Sequence, residues 1–416
     1  MGGAPFLRRS ADFFGFRIPP QQMVQPPLHP LVSALRAEAR EAPESGIVEV
    51  FNYGRGREGL IPLWVGEGDL PTPPFIVDAA VKSLHDGETF YTYQRGLPEL
   101  RTALAAYHQR HFDGDFDPER FFVTGGGMQA IQIATRKVAG TGDEVLVPTP
   151  AWPNFDAAIG IAGATPVAVP MSFGNAGWNL DLDRLFDAAT DRTTAIFINS
   201  PSNPTGWTAR RDELQAILEF ARKRGLWIVA DEVYHRFFYA GARSPSFYDI
   251  AGRDERVLYV NTFSKNWSMT GWRIGWISAP PALGPTIENL VQYSTSGVAA
   301  FMQRAATVAL DHGEDYVALQ IERARTGRKI VVDGLGATGR IRFSEPAGAF
   351  YLFFAVDGEP DTRQLGLRLV DEANVGLAPG DAFGAAGRGF MRLCFARDAG
   401  QVREATERLA YWVRNR

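Results

Sequence analysis

From residue 120 onward this 416-residue chain sets short, almost continuous apolar runs against stretches of helical period. The runs are Phe121-Phe122-Val123, Val145-Leu146-Val147, Pro166-Val167-Ala168-Val169, Ala195-Ile196-Phe197-Ile198, Leu226-Trp227-Ile228-Val229-Ala230, Val257-Leu258-Tyr259-Val260 and Ile274-Gly275-Trp276-Ile277. Helical patterns such as Gln129 to Val138 and Arg210 to Arg224 lie between several of them. A strand with one wet face alternates apolar and polar residues, whereas a run that is apolar throughout needs cover on both faces. The pattern therefore predicts an α/β fold, a mostly parallel sheet covered by helices. In such sheets ligands sit outside the carboxyl ends of the strands, so the residues just after each run are the candidates for function.

The flanks read differently. Residues 1 to about 45 are rich in Pro and Arg without a sustained period, which predicts an arm or extended segment. A helix follows Pro73-Pro74 through Ile76, Ala79, Ala80, Val81 and Leu84, and a second runs from Pro98 to about His111. Beyond Pro280 the pattern is helical to about Val332. Strands at Ile341–Phe343, Tyr351–Ala355 and Phe390–Phe395 then mix with helices near 362–373 and 400–414, which predicts a second, smaller α+β domain.

Several function classes are disfavoured at once. A formal charge of −4 leaves no basic excess to track nucleic acid or an anionic membrane surface. No apolar run reaches the length of a membrane span. Arg8-Arg9 resembles the start of a twin-arginine signal, but Asp12, Arg17, Pro19 and Pro20 break the apolar stretch that should follow. Cys394 is the single cysteine, so no intrachain disulfide forms and nothing requires an oxidising compartment. The expectation is a soluble cytoplasmic protein.

One segment points to specific chemistry. Asn261-Thr262-Phe263-Ser264-Lys265-Asn266-Trp267-Ser268-Met269-Thr270-Gly271-Trp272-Arg273 sets a lysine among hydroxyls and aromatics. An amine in partly apolar surroundings loses its proton more easily, and a neutral amine attacks a carbonyl to form a Schiff base. Thr262, Ser264 and Arg273 would suit a phosphate beside it. A lysine adduct next to a phosphate anchor is the signature of pyridoxal phosphate (PLP).

The strand ends carry further candidates. Asp231 follows Leu226–Ala230, where its carboxylate could keep the ring nitrogen of PLP protonated or simply cap a turn. Tyr234, three residues on, could donate to the cofactor's phenolic oxygen. Asn203 sits in Asn199-Ser200-Pro201-Ser202-Asn203-Pro204-Thr205-Gly206, a loop whose prolines restrict its backbone. Gly125-Gly126-Gly127 precedes a helix from about Met128, an N-terminus open to an anion or merely a tight turn. Trp152 could stack on a planar cofactor or pack as an ordinary core residue. Arg392, between Met391 and Leu393, could hold a carboxylate in bidentate fashion or serve a structural salt bridge.

Taken together, these motifs resemble the fold-type I, class I/II PLP-dependent aminotransferases from about residue 60 to the C-terminus. Ser264-Lys265 with Arg273 is similar to the family's Ser-Lys…Arg signature, which implies that Lys265 is the covalent anchor and proton carrier. The resemblance implies that Asp231 meets the pyridine nitrogen, Tyr234 and Asn203 the phenolic oxygen, and Trp152 the ring face. It places the phosphate on the Gly127 and Met128 backbone, Thr262, Ser264 and Arg273. Tyr91, in Tyr91-Thr92-Tyr93-Gln94-Arg95-Gly96, is similar to the tyrosine that reaches the neighbouring subunit's phosphate, which implies a homodimer. Gly66 and Arg392 correspond to residues at the substrate carboxylate, and no metal is implied. The expected division is an arm at 1–45, small-domain residues at 46–74 and 312–416, and a large PLP domain at 75–311.

The implied reaction is ping-pong transfer of an amino group from an L-amino acid to a 2-oxo acid. In the bacterial aspartate-using branch the residue after the paired glycines is often a lysine that meets the distal carboxylate. Here it is Met128, which favours a neutral donor, aromatic or aliphatic, unless another arginine, such as Arg55, Arg57 or Arg95, supplies the missing cation from elsewhere in the dimer. A PLP-dependent C–S β-lyase would use nearly the same residues, and a non-catalytic binding protein could keep the fold.

Overall fold

The computed structural model describes residues 29–43 and 46–416. Much of the expected arm, with Arg8-Arg9, lies outside the described residues. The chain divides into two compact units, one ending at Glu41 and one spanning Ala42–Arg416. In the first, Pro30–Ser33 and Ala37–Arg40 are single helical turns with no buried residue. Among the described residues no helix is long and apolar enough to cross a membrane.

All seven apolar runs enter one seven-stranded sheet. Its order is Phe121–Thr124, Gly275–Ser278, Val257–Thr262, Trp227–Asp231, Thr193–Asn199, Glu144–Thr149 and Thr165–Pro170. Five neighbouring strands run parallel, while Gly275–Ser278 is antiparallel to both its neighbours. The reason is the connection. Residues 263–274 hold only a 3-10 turn, too little to carry a crossover back to the same sheet end. The chain therefore returns alongside Val257–Thr262, and Lys265 lies in that return.

Burial follows the pattern of the runs. Val257–Thr262 is buried along its whole length, and Ile196 and Ile228 have no exposed surface. Each such side chain contributes roughly 1.5–3 kcal/mol relative to exposure, so the sheet holds its strand ends in fixed positions. In register, Asn199 lies opposite Asp231 and Asp231 opposite Val260. Two neighbouring strands thus end at one level, and the third runs two residues further, to Thr262.

A four-stranded antiparallel sheet forms separately, in the order Ile341–Phe343, Tyr351–Val356, Met391–Cys394 and Ala378–Pro379. The helix Gly46–Gly54 packs on the helix Thr362–Glu372 beside it, and Ile61–Pro62 pairs with Val375–Gly376. Trp64 enters here between two glycines. A Cβ on Gly376 would stand 2.1 Å from its ring, and one on Gly54 2.5 Å away. Only glycine leaves room for the indole at both places, and the Trp64 carbonyl that results accepts a bond from Arg392 Nη2.

Candidate active site

A cavity of about 360 Å³ opens at the carboxyl ends of the large sheet. It is lined by Gly66, Gly127, Met128, Trp152, Asn203, Asp231, Tyr234, Thr262, Ser264, Lys265, Arg273 and Arg392. Of the residues assigned to the cofactor or the substrate's α-carboxylate, Tyr91 alone does not line it. That side chain is 92% exposed, beside a surface groove shared with Phe90 and residues 295–299.

Lys265 Nζ donates to the Gly66 carbonyl at 2.8 Å and lies 6.0 Å from the centre of the Tyr234 ring. Burial lowers its amine to about 8, because a charged ammonium is poorly solvated there. Asp231 ends its strand only 2% exposed. Its Oδ1 accepts the Val233 N–H at 3.2 Å, so the carboxylate does cap the turn while also lining the cavity. Burial pushes it up to about 7, against the opposing pull of the Val233 N–H, Lys265 and the Asn199 side chain. A buried carboxylate that faces an open cavity is suited to a cation arriving from it.

Asn199 organises the neighbouring loop. Its Nδ2 donates to the Asp231 carbonyl at 3.2 Å and its Oδ1 accepts the Asn203 N–H at 2.9 Å. Asn203 Oδ1 in turn accepts from Arg392 Nη1 at 2.9 Å. Arg392 is 3% exposed, its Nε has no hydrogen-bond partner, and no carboxylate pairs with it among the described residues. A buried guanidinium of this kind calls for an anion.

Across the cavity the helix Gly127–Val138 begins without a side-chain cap and without an acidic residue in its first turn. Gly126 precedes it at φ 86°, and a Cβ there would come within 2.8 Å of Arg273 Nη2. Arg273 itself adopts a left-handed φ of 53° and donates to the Thr270 carbonyl at 2.6 Å. Thr262 and Ser264 face one another at 2.9 Å between their hydroxyls. Two hydroxyls, a guanidinium and an uncapped helix N-terminus make an anion cradle.

Sequence reasoning passed over Tyr351, Trp64, Glu67 and Thr270, which also line the cavity. Thr270 Oγ1 donates to Glu67 Oε2 at 3.0 Å, tying the lysine loop to the Gly66 loop. Tyr351 lies in an apolar strand run that reads only as core.

The fold and the site define a class: an α/β enzyme that uses PLP. The model for "Aminotransferase class I and II" matches residues 58–409. An aspartate aminotransferase from Thermotoga maritima is 35% identical over 359 residues, covering 86% of this chain and 93% of its own. An aromatic-amino-acid aminotransferase from Thermococcus litoralis is 33% identical, covering 88% and 94%. The solved structure of N-succinyldiaminopimelate aminotransferase from Mycobacterium tuberculosis superposes with a TM-score of 0.85 at 30% identity, covering 91% and 100%. The chain belongs to the class I and II aminotransferases, the PLP-dependent transaminases.

Proposed function

We propose that this transaminase takes a neutral L-amino acid, aromatic or aliphatic, as donor and a 2-oxo acid as acceptor in a ping-pong cycle. The observation that carries the reading is the charge of the cavity wall. Its cationic side chains among the described residues are Lys265, Arg273 and Arg392, while Ile47, Val48, Val65, Met128, Ile131 and Trp152 are apolar. None of the three cations is left for a second carboxylate once the cofactor and the α-carboxylate are held. Within one chain neither Arg55, Arg57 nor Arg95 lines this cavity, Arg57 pairing with Asp371 and Arg95 with Glu119 and Glu288.

In this reading Asp231 meets the ring nitrogen, Tyr234 and Asn203 the phenolic oxygen, and Trp152 the ring face. Thr262, Ser264, Arg273 and the Gly127 and Met128 backbone hold the phosphate. When bound, PLP supplies an electron sink that acidifies the substrate's α-carbon. Arg392 and Asn203 orient the α-carboxylate beside Gly66. Lys265 Nζ would anchor the cofactor and, once free, would take the proton from the substrate's α-carbon and give it back as an acid.

A half-reaction screen tests the donor class by following conversion of the PLP form to the aminated form. Phenylalanine or leucine is expected to react faster than aspartate, and a faster aspartate would remove the reading. Met128→Lys places a cation on the apolar wall and is expected to improve the aspartate rate relative to leucine by about tenfold, the effect of ~1.4 kcal/mol from one partly buried ion pair. The reading also includes a homodimer, supported by the exposed Tyr91 and its aromatic neighbour Phe90. Light scattering is expected to give twice the chain mass, and a fully active monomer would rule the shared site out.

A further inference from the structure

Tyr351 opens the strand Tyr351–Val356 with no exposed surface. It lies opposite Cys394, while Phe353, on the same face, lies opposite Arg392. One face of the small sheet therefore turns both Tyr351 and Arg392 toward the cavity. The Tyr351 hydroxyl stands 2.7 Å from the Tyr234 hydroxyl. A Cβ on Gly66 would lie 2.2 Å from that same oxygen, so the glycine makes room for it. The Arg392 guanidinium sits 4.7 Å from the centre of the Tyr351 ring and 4.8 Å from that of Phe383.

Only one of the two hydroxyls can donate within this pair. Both hydroxyls line the cavity and neither has another side-chain hydrogen-bond partner among the described residues, so with Tyr234 giving its hydrogen to the cofactor's phenolic oxygen, Tyr351 is left as the donor within the pair. With Tyr351 as donor, the Tyr234 hydrogen stays free for an acceptor in the cavity. An oxygen that accepts one hydrogen bond also becomes a stronger donor of its own.

We propose that Tyr351 is a positioning residue that donates a hydrogen bond from its hydroxyl to Tyr234, thereby aiming and strengthening the bond from Tyr234 to the cofactor's phenolic oxygen. This rests on the assignment of Tyr234 to that oxygen. Tyr351→Phe removes the hydroxyl and keeps the ring beside Arg392, so substrate carboxylate binding is left in place. Without its donor, Tyr234 stabilises the ionised phenolic oxygen less, and that oxygen takes up a proton at higher pH.

The test is a pH titration of the visible absorption of the PLP-loaded protein in four forms: wild type, Tyr351→Phe, Tyr234→Phe and the double variant. Tyr234→Phe is expected to raise the midpoint, and Tyr351→Phe to raise it less, by about half a unit or threefold in proton affinity. The double variant is expected to match Tyr234→Phe alone, because Tyr351 acts through Tyr234. A midpoint moved by Tyr234→Phe but not by Tyr351→Phe overturns the proposal and spares the Tyr234 assignment. So does a Tyr351→Phe shift that persists in full in the double variant. A midpoint that Tyr234→Phe leaves in place removes both. Packing alone would change the melting temperature and leave the midpoint where it is.

Discussion

Reduction of the PLP-loaded protein with borohydride is expected to fix one phosphopyridoxyl group on Lys265, and Lys265→Ala is expected to gain no such mass. The argument rests on what surrounds the amine. Burial lowers it to about 8, so near that pH about half is neutral, where an ordinary lysine is almost wholly protonated. Its Nζ is already held at the cavity by the Gly66 carbonyl at 2.8 Å. Attachment to the carbonyl should therefore quicken from pH 7 to 9 and then level. In the proposed roles, alanine removes both the anchor and the group that carries the α-proton, and general acid–base catalysis alone is worth about 10²–10⁴-fold. Amino transfer should fall by at least that much. The variant should still bind PLP without a covalent bond, because Thr262, Ser264 and Arg273 remain. Mass on another lysine, or normal turnover in Lys265→Ala, would overturn the assignment.

The strands of the large sheet were readable because burial on both faces leaves runs such as Val257–Val260 with no polar interruption. Their order was not readable. Apolar runs report that a strand is covered, and nothing in Ile274–Ile277 marks it as antiparallel to Val257–Thr262. The turn direction depends on how far residues 263–274 can reach, which is a tertiary constraint. Gly46–Gly54, and the two-residue strands Ile61–Pro62 and Val375–Gly376, escaped for the opposite reason: they are too short to show a period.

The cavity residues were legible where a reactive or charged side chain interrupts an apolar setting, as with Lys265, Asp231 and Arg392. Tyr351 was not, because its partner hydroxyl on Tyr234 lies 117 residues away in the chain. The same holds for Glu67 and Thr270, whose pairing exists only once the two loops meet. Long-range polar contacts of this kind leave no local periodicity behind.

Asp231 should show opposite signs in stability and in rate. Its carboxyl is pushed up to about 7 by burial, against about 3.9 in an unfolded chain. Between those values the folded protein holds a proton that the unfolded chain has released, so stability falls as pH rises across the window and stays low above it. Cofactor-free Asp231→Asn is therefore expected to melt higher than wild type at pH 8 and no higher at pH 4. PLP should reverse the order. A protonated ring nitrogen beside the carboxylate favours its ionised form, so wild type should gain more in melting temperature from the cofactor than the variant does. Turnover follows the same contact. Loss of a charge-assisted hydrogen bond costs about 1.5–3 kcal/mol, and the proposed one would also keep the ring cationic, so Asp231→Ala should lose more than roughly tenfold to a hundredfold in kcat. Near-normal turnover by Asp231→Ala with PLP bound would show that the carboxylate only caps its turn through the Val233 N–H, and the loaded wild type would then have no excess thermal gain over Asp231→Asn.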